Sequence, residues 1–193
     1  MSIDKKVAVL ISGRGSNMSA LIKAAKADDY PAEIVLVISN KPCAKGLEVA
    51  RSENIPAIAI DHTEFESREG FEDALHKALL DHDIEIVVLA GFMRKLTGSF
   101  TCKWEGAMIN IHPSLLPKYK GLDTHQRALD AGDKEHGCTV HYVTAELDAG
   151  PIVMQAKIPV LEGDTPDDLA ARILEQEHRI FPLSLAKVAR SIS

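Results

Sequence analysis

The sequence predicts an α/β fold in which helices flank a doubly wound, mostly parallel sheet whose last strands are partly antiparallel. Short, β-branched, almost wholly apolar runs alternate with segments of helical periodicity in steps of about 25 residues, which is typical of parallel strands joined by right-handed crossovers. Two later runs differ, since one alternates and the other contains Pro159, and this indicates a hairpin at or near an edge. A chain of 193 residues has the size of one domain, so we expect a single domain over residues 1–193.

Five strands are predicted before the hairpin. Each is a short run rich in apolar residues, as expected where a parallel sheet is covered on both faces. They cover residues 6–12, 33–39, 57–60, 84–90 and 107–111, and the hairpin strands cover residues 139–143 and 152–160. Ligands of such sheets bind beyond the carboxyl ends of the strands. A site is therefore expected around residues 13–17, residues 91–96 and the segment that follows residue 111.

Four helices are predicted from apolar spacing and start signals. Met18, Leu21 and Ile22 place an apolar stripe on a helix over residues 17–26, and residues 46–52 and 67–81 also indicate helices. The last helix is predicted to follow Thr165, because an N-cap threonine, Pro166 at the first helical position and acids in the first turn favour a helix start. We expect it to run to about residue 190.

The composition excludes several classes of partner. Nucleic-acid surfaces need clustered cations and often aromatic platforms, but the net charge here is −6 and the aromatic residues are 5 Phe, 3 Tyr and 1 Trp, so no nucleic acid is expected. Cys43, Cys102 and Cys138 form no CxxC pair or zinc pattern, and no HExxH motif is present, so we expect no metal. The apolar run at residues 7–11 is too short for a signal sequence or a membrane span. We therefore expect no membrane association and a cytoplasmic location.

The first loop, SGRGSN at residues 12–17, lies between a predicted strand and a predicted helix. Its glycines permit tight turns, and the N–H groups at the helix start with the side chains of Ser16 and Asn17 suit a phosphate. Met18 stands where a dinucleotide-binding loop would have its third glycine, and no acid ends the second strand, so NAD-type ribose recognition is unsupported. Two interpretations stay open, a phosphomonoester site and a turn that merely needs glycine.

The segment INIHPSLLP at residues 109–117 places Asn110 and His112 two positions apart, and hence on one side of a strand that continues that far. An amide donor that stabilises an oxyanion and an imidazole that moves protons near neutral pH are what acyl transfer requires. The alternative is that His112 and Pro113 only form the turn leaving the sheet.

Two acids are further candidates. Asp148 lies in the turn ELDAGP, and an aspartate in such a turn commonly serves only to form the turn. A catalytic role for Asp148 depends on whether its side chain reaches His112. Glu177 falls on the apolar stripe of the last helix, between Ile173 and Ile180, where a lone carboxylate needs a partner or a ligand.

Long segments of the chain match a known pattern. They are SGRGSN at residues 12–17, VLAGFMRKL at 88–96, MINIHPSLLPKYKGLDTHQRAL at 108–129, HGCTVHYVTAELDAGPIVMQ at 136–155 and EQEHRIFP at 175–182. Together they resemble the phosphoribosylglycinamide formyltransferases of the folate-dependent formyltransferase family, over about residues 6–185. The Asn-His pair with the downstream DxGP is shared across that family, whereas the SGxGSN loop and the QEH helix point to the ribonucleotide enzymes.

The resemblance implies transfer of the formyl group of 10-formyltetrahydrofolate to the amine of glycinamide ribonucleotide, a step of purine (IMP) biosynthesis. It implies that Asn110, His112 and Asp148 are catalytic. Asn110 and protonated His112 would stabilise the oxyanion, and Asp148 would hold His112 as imidazolium and help to relay the proton. No covalent enzyme intermediate is expected.

The resemblance also implies the binding residues for both small molecules. It gives substrate binding to Gly15, Ser16 and Asn17, which would hold the phosphate, and to Glu177, which would accept hydrogen bonds from ribose hydroxyls. The cofactor-binding residues that it implies are Arg68 near the glutamate tail, Met93, Arg94, Lys95, Leu96 and Asn110, with the loop over residues 143–148.

Three other functions compete with this interpretation. A methionyl-tRNA formyltransferase normally adds a basic C-terminal domain, and a formyltetrahydrofolate hydrolase normally begins with a regulatory domain, so neither is favoured. A non-catalytic nucleotide-binding module would not need Asn110, His112 and Asp148 together. The sequence leaves open whether the protein is a monomer or a homodimer.

Overall fold

The strands form one mixed sheet. The computed structural model describes residues 4–192, and within them seven strands lie in the order β3-β2-β1-β4-β5-β6-β7. The strands are β1 Lys5–Ile11, β2 Ala32–Ser39, β3 Ala57–Ala59, β4 Ile86–Leu89, β5 Met108–His112, β6 Glu135–Tyr142 and β7 Ile152–Pro159. The helices are α1 Ser16–Ala24, α2 Lys45–Ser52, α3 Arg68–Asp81, α4 Gly98–Lys103, α5 Thr124–Asp130 and α6 Pro166–Ser191, and a 3-10 turn covers His62–Glu64.

The first five strands are parallel, and the chain reverses its direction across the sheet at β1. It proceeds outward from β1 through β2 to β3, then returns to place β4 on the other side of β1. The loops that leave the carboxyl ends of β1 and β4 therefore diverge, which opens a crevice between them. The structure confirms the predicted doubly wound, mostly parallel architecture.

The antiparallel part begins at β5. The β6 strand pairs with β5 and then with β7, which forms the edge of the sheet, so the predicted hairpin is confirmed. The β6 strand starts at Glu135, four residues before the predicted start at residue 139. The prediction was wrong at this end because Glu135, His136 and Gly137 do not look like a strand by themselves. Their backbone pairs with residues 157–159 of β7.

Helices cover both faces of the sheet. On one face, Leu21 of α1, Leu47 of α2 and Phe181 of α6 pack in a common core with the strands, and on the other face Leu75 of α3 and Phe100 of α4 do so. Burial on both faces explains the uniformly apolar sequences of the parallel strands. Among the described helices, including α6 with its 26 residues, none is long and apolar enough to cross a bilayer.

The local start signal of α6 is confirmed, whereas α4 and α5 were not predicted. Thr165 and Asp168 form a capping box at the start of α6. The α4 helix has 6 residues and α5 has 7, which is too short for apolar periodicity to show. The α4 helix also depends on a distant residue, because the buried carboxylate of Glu72 on α3 accepts hydrogen bonds from the backbone N–H (2.7 Å) and hydroxyl of the N-cap Thr97.

Candidate active site

A cleft of about 650 Å³ lies beyond the carboxyl ends of β4 and β5. Its walls are the loop after β4 (residues 91–96), the end of β5, the segment over residues 121–125 and the loop after β6 (residues 143–148). Asn17 and Glu177 line the same cleft. It therefore occupies the position that the fold makes available for a ligand, and it combines three of the segments singled out in the sequence.

Asn110 and His112 project into this cleft from β5. They are two residues apart on a strand, so their side chains share one face. His112 is buried, with 6% of its surface exposed, whereas Asn110 is half-buried. His112 is thus the last residue of β5, and its side chain lines the cleft.

The carboxylate of Asp148 faces the imidazole of His112. Oδ2 of Asp148 lies 3.5 Å from Nδ1 of His112, and both side chains are buried. The backbone N–H of Gly121 donates a 2.9 Å hydrogen bond to the same oxygen. The distance that the sequence left open is therefore short enough for an ion pair.

Both ring nitrogens of His112 face acceptors. Nε2 lies 2.8 Å from the carbonyl oxygen of Tyr119, which can only accept, so Nε2 carries a proton. A second proton on Nδ1 would face the carboxylate of Asp148. The surroundings therefore compensate the charge of a doubly protonated ring.

The pKa of Asp148 lies below its usual range. Burial opposes ionisation of this carboxyl group, but the hydrogen bond from His141 in its protonated form, the hydrogen bond from the Gly121 N–H and the charge of His112 outweigh it. Asp148 is therefore a carboxylate at neutral pH. Its backbone has φ of 49°, in the left-handed region, as a tight turn that aims the side chain inward requires.

His141 belongs to the same cluster, and the sequence analysis did not single it out as catalytic. It lies directly opposite Asn110 on β6, and its Nε2 is 3.7 Å from Oδ1 of Asp148. Nδ1 of His141 donates to the carbonyl oxygen of Tyr142 (2.8 Å). In the neutral ring Nε2 therefore accepts a hydrogen bond from Nδ2 of Asn110 (3.2 Å), whereas in the protonated ring it donates to Asp148. Alternation within β6 placed His141 on one face, but its position opposite Asn110 depends on a strand register that the sequence does not reveal.

The first loop enters α1 through a glycine in the left-handed conformation. Gly15 is the N-cap residue of α1 with φ of 76°, and a Cβ at this position would lie 3.2 Å from Cα of Gly46. Both the conformation and the close approach therefore require glycine. Ser16 and Asn17 begin the helix, and their backbone N–H groups have no partner within residues 4–192, as is general for a first helical turn.

The buried carboxylate of Glu177, on the apolar stripe of α6, has Asn17 as its hydrogen-bond partner. Nδ2 of Asn17 donates a 2.7 Å hydrogen bond to Oε2 of Glu177, joining α1 to α6. Burial raises the pKa of Glu177, and the hydrogen bond from Asn17 only partly offsets this. Oδ1 of Asn17 is buried and accepts no hydrogen bond from the described residues. A ligand donor such as a hydroxyl group would satisfy it.

The loop after β4 presents backbone groups to the cleft. Met93, Arg94, Lys95 and Leu96 all line it. The backbone N–H and C=O groups of residues 94–96 form no hydrogen bonds within residues 4–192. Free backbone donors and acceptors beside an apolar cleft suit a planar heterocycle that carries both.

Arg68 does not line this cleft. It lies at the N-terminus of α3, in a neighbouring depression of about 310 Å³ that also includes Ser67 and Arg94. Arg94 lines both spaces and so connects them. The structure therefore separates Arg68 from Asn110, His112 and Asp148.

The described part of the chain contains no group of three or more His, Cys, Asp or Glu side chains placed to hold a metal ion. The Asp148 cluster instead has one carboxylate between two imidazoles, each with a ring nitrogen directed at a backbone carbonyl group. Such a cluster can hold and move protons and can donate hydrogen bonds to a developing negative charge.

Comparisons with known proteins show which proteins this chain is similar to. Residues 5–185 match the model of a family described as formyl transferase. The phosphoribosylglycinamide formyltransferase of Escherichia coli (strain K12) is 48% identical over 180 residues, which cover 93% of this chain and 85% of that protein. A crystal structure of phosphoribosylglycinamide formyltransferase from Brucella melitensis superposes with a TM-score of 0.93 at 52% identity and covers 98% of both chains.

Longer relatives match as well. The trifunctional purine biosynthetic protein adenosine-3 of Gallus gallus is 50% identical over 184 residues, or 95% of this chain. The chain spans only 14% to 18% of the length of this protein and the three similar trifunctional proteins of Chironomus tentans, Bos taurus and Drosophila melanogaster.

Proposed function

This chain belongs to the formyl transferase family, and from that membership we propose that it transfers the formyl group of 10-formyltetrahydrofolate to the amine of glycinamide ribonucleotide. The products would be formylglycinamide ribonucleotide and tetrahydrofolate, as a step of de novo purine biosynthesis. The observation that carries the proposal is the pairing of His112 with Asp148 beside Asn110 in a cleft at the strand ends.

Asn110 and His112 stabilise the negative charge that develops on the formyl oxygen. The Nδ2 group of Asn110 has two hydrogens, and only one is needed for the hydrogen bond to His141. The other is available to an oxyanion in the cleft. A donor of this kind contributes about 10²–10³ in rate when it is held in place before the reaction. The ring protons of His112 are directed at the Tyr119 carbonyl and at Asp148, so His112 contributes its positive charge rather than a free hydrogen bond.

Asp148 controls the proton on His112. The buried carboxylate stays ionised at neutral pH, so it compensates the charge of a protonated His112 ring. The substrate amine loses a proton and the folate nitrogen gains one during transfer, and the Asp148–His112 pair provides a route for that proton, directly or through water. The folate supplies the formyl group and departs as the leaving group, and no covalent bond to the protein is needed.

The ribonucleotide binds between α1 and α6. Gly15, Ser16 and Asn17 present backbone N–H groups to its phosphate, which the helix dipole also favours. Glu177 accepts hydrogen bonds from the ribose hydroxyls. The unpartnered Oδ1 of Asn17, beside Glu177, supports a hydroxyl-bearing ligand at this place.

The folate lies along the loop after β4 and the loop over residues 143–148. The pterin ring uses the free backbone groups of residues 94–96, with Met93 and Asn110 beside it. Arg68, in the neighbouring depression, binds the anionic glutamate tail. The volume and apolar walls of the cleft fit a bicyclic ring that must exclude water from the reacting carbon.

The working unit that we propose is a single formyltransferase domain over residues 1–193, with small molecules as its partners, as a monomer or a homodimer in the cytoplasm. One sheet and a family match over residues 5–185 support the single domain. Free Cys43, Cys102 and Cys138 fit a reducing compartment.

One assay tests this function. The purified protein is given 10-formyltetrahydrofolate together with glycinamide ribonucleotide, initiator methionyl-tRNA or buffer alone, and release of tetrahydrofolate is followed. We expect rapid release only with the ribonucleotide. Equal release in buffer alone would instead indicate a hydrolase, and release only with the tRNA would indicate a methionyl-tRNA formyltransferase.

A further inference from the structure

The hydroxyl group of Ser12 connects the first loop, proposed to bind the phosphate, with the loop after β4, proposed to bind the folate. Ser12 follows β1 at the start of the first loop and is buried, with 7% of its surface exposed. Its Oγ accepts a 2.7 Å hydrogen bond from the backbone N–H of Met93 and donates a 2.5 Å hydrogen bond to Oδ1 of Asn40. The loop that begins the phosphate site thus also holds the loop proposed to bind the folate.

The direction of these hydrogen bonds is fixed. A backbone N–H can only donate, so the Ser12 oxygen accepts from Met93 and its proton goes to Asn40. Asn40 is itself buried at the end of β2, and its Nδ2 lies 3.2 Å from Nδ1 of His62. The Ser12 hydroxyl is therefore held on both sides and cannot rotate without losing a buried hydrogen bond.

Phe92 and Leu96 anchor the loop after β4 in the core, but hydrogen bonds hold its backbone at only a few points. Its start is held by the bond from Ala90 N–H to the Leu10 carbonyl (2.9 Å), and its end by the bond from Thr97 N–H to Glu72 (2.7 Å). Between them, Met93 N–H bonds to Ser12, whereas the backbone of residues 94–96 has no hydrogen bond within residues 4–192. The Ser12 hydroxyl thus fixes the loop immediately before its free groups.

We propose that Ser12 is a positioning residue for the folate, which it serves by holding the backbone of Met93 so that residues 94–96 present their free groups to the cleft. The inference rests on the proposed function for the identity of the ligand. It gives Ser12 a role that differs from those of Gly15, Ser16 and Asn17, although all four belong to one motif.

Ser39 offers a matched control. It is a buried serine that pairs with Ile11 at the end of the adjacent strand β2. Its hydroxyl also takes part in two hydrogen bonds, donating to the Lys41 carbonyl (2.9 Å) and accepting from the Lys41 N–H (3.0 Å). Replacing Ser39 by alanine also removes a buried hydroxyl group with two hydrogen bonds at the same edge of the sheet, but it leaves the contacts of the loop after β4 unchanged.

The experiment compares the full-length wild type with Ser12→Ala and Ser39→Ala. Kd values for tetrahydrofolate and for glycinamide ribonucleotide are measured by calorimetry, and exchange of the Met93 amide hydrogen is followed by NMR in the free protein. For Ser12→Ala we expect tetrahydrofolate binding to weaken about tenfold, as for the loss of one hydrogen bond, and the Met93 amide to exchange at least tenfold faster. Ribonucleotide binding should change less than twofold, and Ser39→Ala should change none of the three quantities by more than twofold.

Different results would overturn the role of Ser12 and the identity of the ligand. An unchanged Met93 exchange rate in Ser12→Ala, or equal weakening of tetrahydrofolate binding in both variants, would overturn the role of Ser12. Unchanged tetrahydrofolate affinity in Ser12→Ala would do the same. Failure of the wild type to bind tetrahydrofolate at all would overturn the proposed function, and with it the ligand named here, whatever the Met93 amide does.

Discussion

The side chains of Asn110 and His141 face each other across antiparallel strands, and the amide nitrogen of Asn110 donates a hydrogen bond to Nε2 of His141. The hydrogen bond from His141 Nδ1 to the Tyr142 carbonyl fixes the tautomer that can accept it. The amide of Asn110 is therefore held in one of its two orientations, with its donor group toward the Asp148 cluster. A buried histidine thus orients the residue proposed to stabilise the oxyanion.

Replacing His141 by leucine should lower kcat about tenfold, because the amide of Asn110 loses the partner that orients it. The Kd for tetrahydrofolate should stay within twofold, since no folate contact is proposed for His141. Steady-state kinetics and calorimetry measure the two quantities. His82→Leu is a suitable control, because His82 also bonds a backbone carbonyl, that of Ala78, at the end of α3. Equal kcat values for wild type and His141→Leu would contradict the orienting role.

Asp148→Asn should reduce kcat by about 10² or more, since the amide keeps an acceptor for the Gly121 N–H but no longer compensates the charge on His112. Binding of tetrahydrofolate should change only a few-fold. Stopped-flow measurement of formyl transfer under saturating substrates checks the effect. The exposed Asp130, at the end of α5, provides an Asp→Asn control that should leave kcat unchanged. Near-normal turnover in Asp148→Asn would remove Asp148 from the mechanism.

Glu177→Gln should stabilise the free protein at pH 7 while weakening ribonucleotide binding. Burial raises the pKa of Glu177 above its usual value of 4.5, so the folded state binds the proton more tightly than the unfolded state does. The stability contributed by protonation is fully present below pH 4.5 and is lost as the pH rises through the folded pKa. Glutamine keeps an acceptor for Asn17 without the buried charge.

The expected rise in Tm at pH 7 is about 2–4 °C, which corresponds to about 1 kcal/mol in a domain of this size. The difference from wild type should shrink as the pH is lowered toward 4.5. Thermal unfolding at several pH values tests this, and calorimetry should show a higher Kd for the ribonucleotide and an unchanged Kd for tetrahydrofolate. Glu175→Gln, on the exposed side of α6, controls for the loss of one negative charge. A difference in Tm that is independent of pH would contradict the assignment to this carboxyl group.

Gly15→Ala should weaken ribonucleotide binding at least tenfold, because a Cβ would strain a backbone with φ of 76° and push against Gly46. Gly163→Ala separates backbone strain from the effect on the site. Gly163 has φ of 84° with open space around it, and it lies in a turn remote from the cleft. Both variants should lose stability in thermal unfolding, but only Gly15→Ala should lose affinity in calorimetry. Equal ribonucleotide affinity in the two variants would show that the first loop does not bind the phosphate.

The features that the sequence predicted correctly are those that neighbouring residues determine. Thr165, Pro166 and Asp168 are close in the chain, and they specify the start of α6 by local hydrogen bonds. The apolar runs of β1 and β4 follow from burial on both faces and need no knowledge of their partners.

What the sequence did not reveal depends on distant partners. The α4 helix starts at a threonine held by Glu72, and β6 extends over Glu135–Tyr142 because β7 pairs with it. The same reasoning applies within the cleft. Asn110 and His112 were visible as a pair on one strand, whereas His141 joins them only through an antiparallel register. The proposed role of Ser12 also depends on distant partners, because its hydroxyl bonds to Asn40 and Met93.

The hydrogen bond between Asn17 and Glu177 joins residues 160 positions apart. A chain that is still being synthesised cannot make this contact until α6 has left the ribosome, even if β1 and β2 have already paired. The proposed ribonucleotide pocket would therefore be incomplete until Glu177 on α6 reaches Asn17 on α1. A nascent chain truncated before α6 should be unable to bind the nucleotide, so substrate binding would begin only after α6 has been synthesised and has left the ribosome.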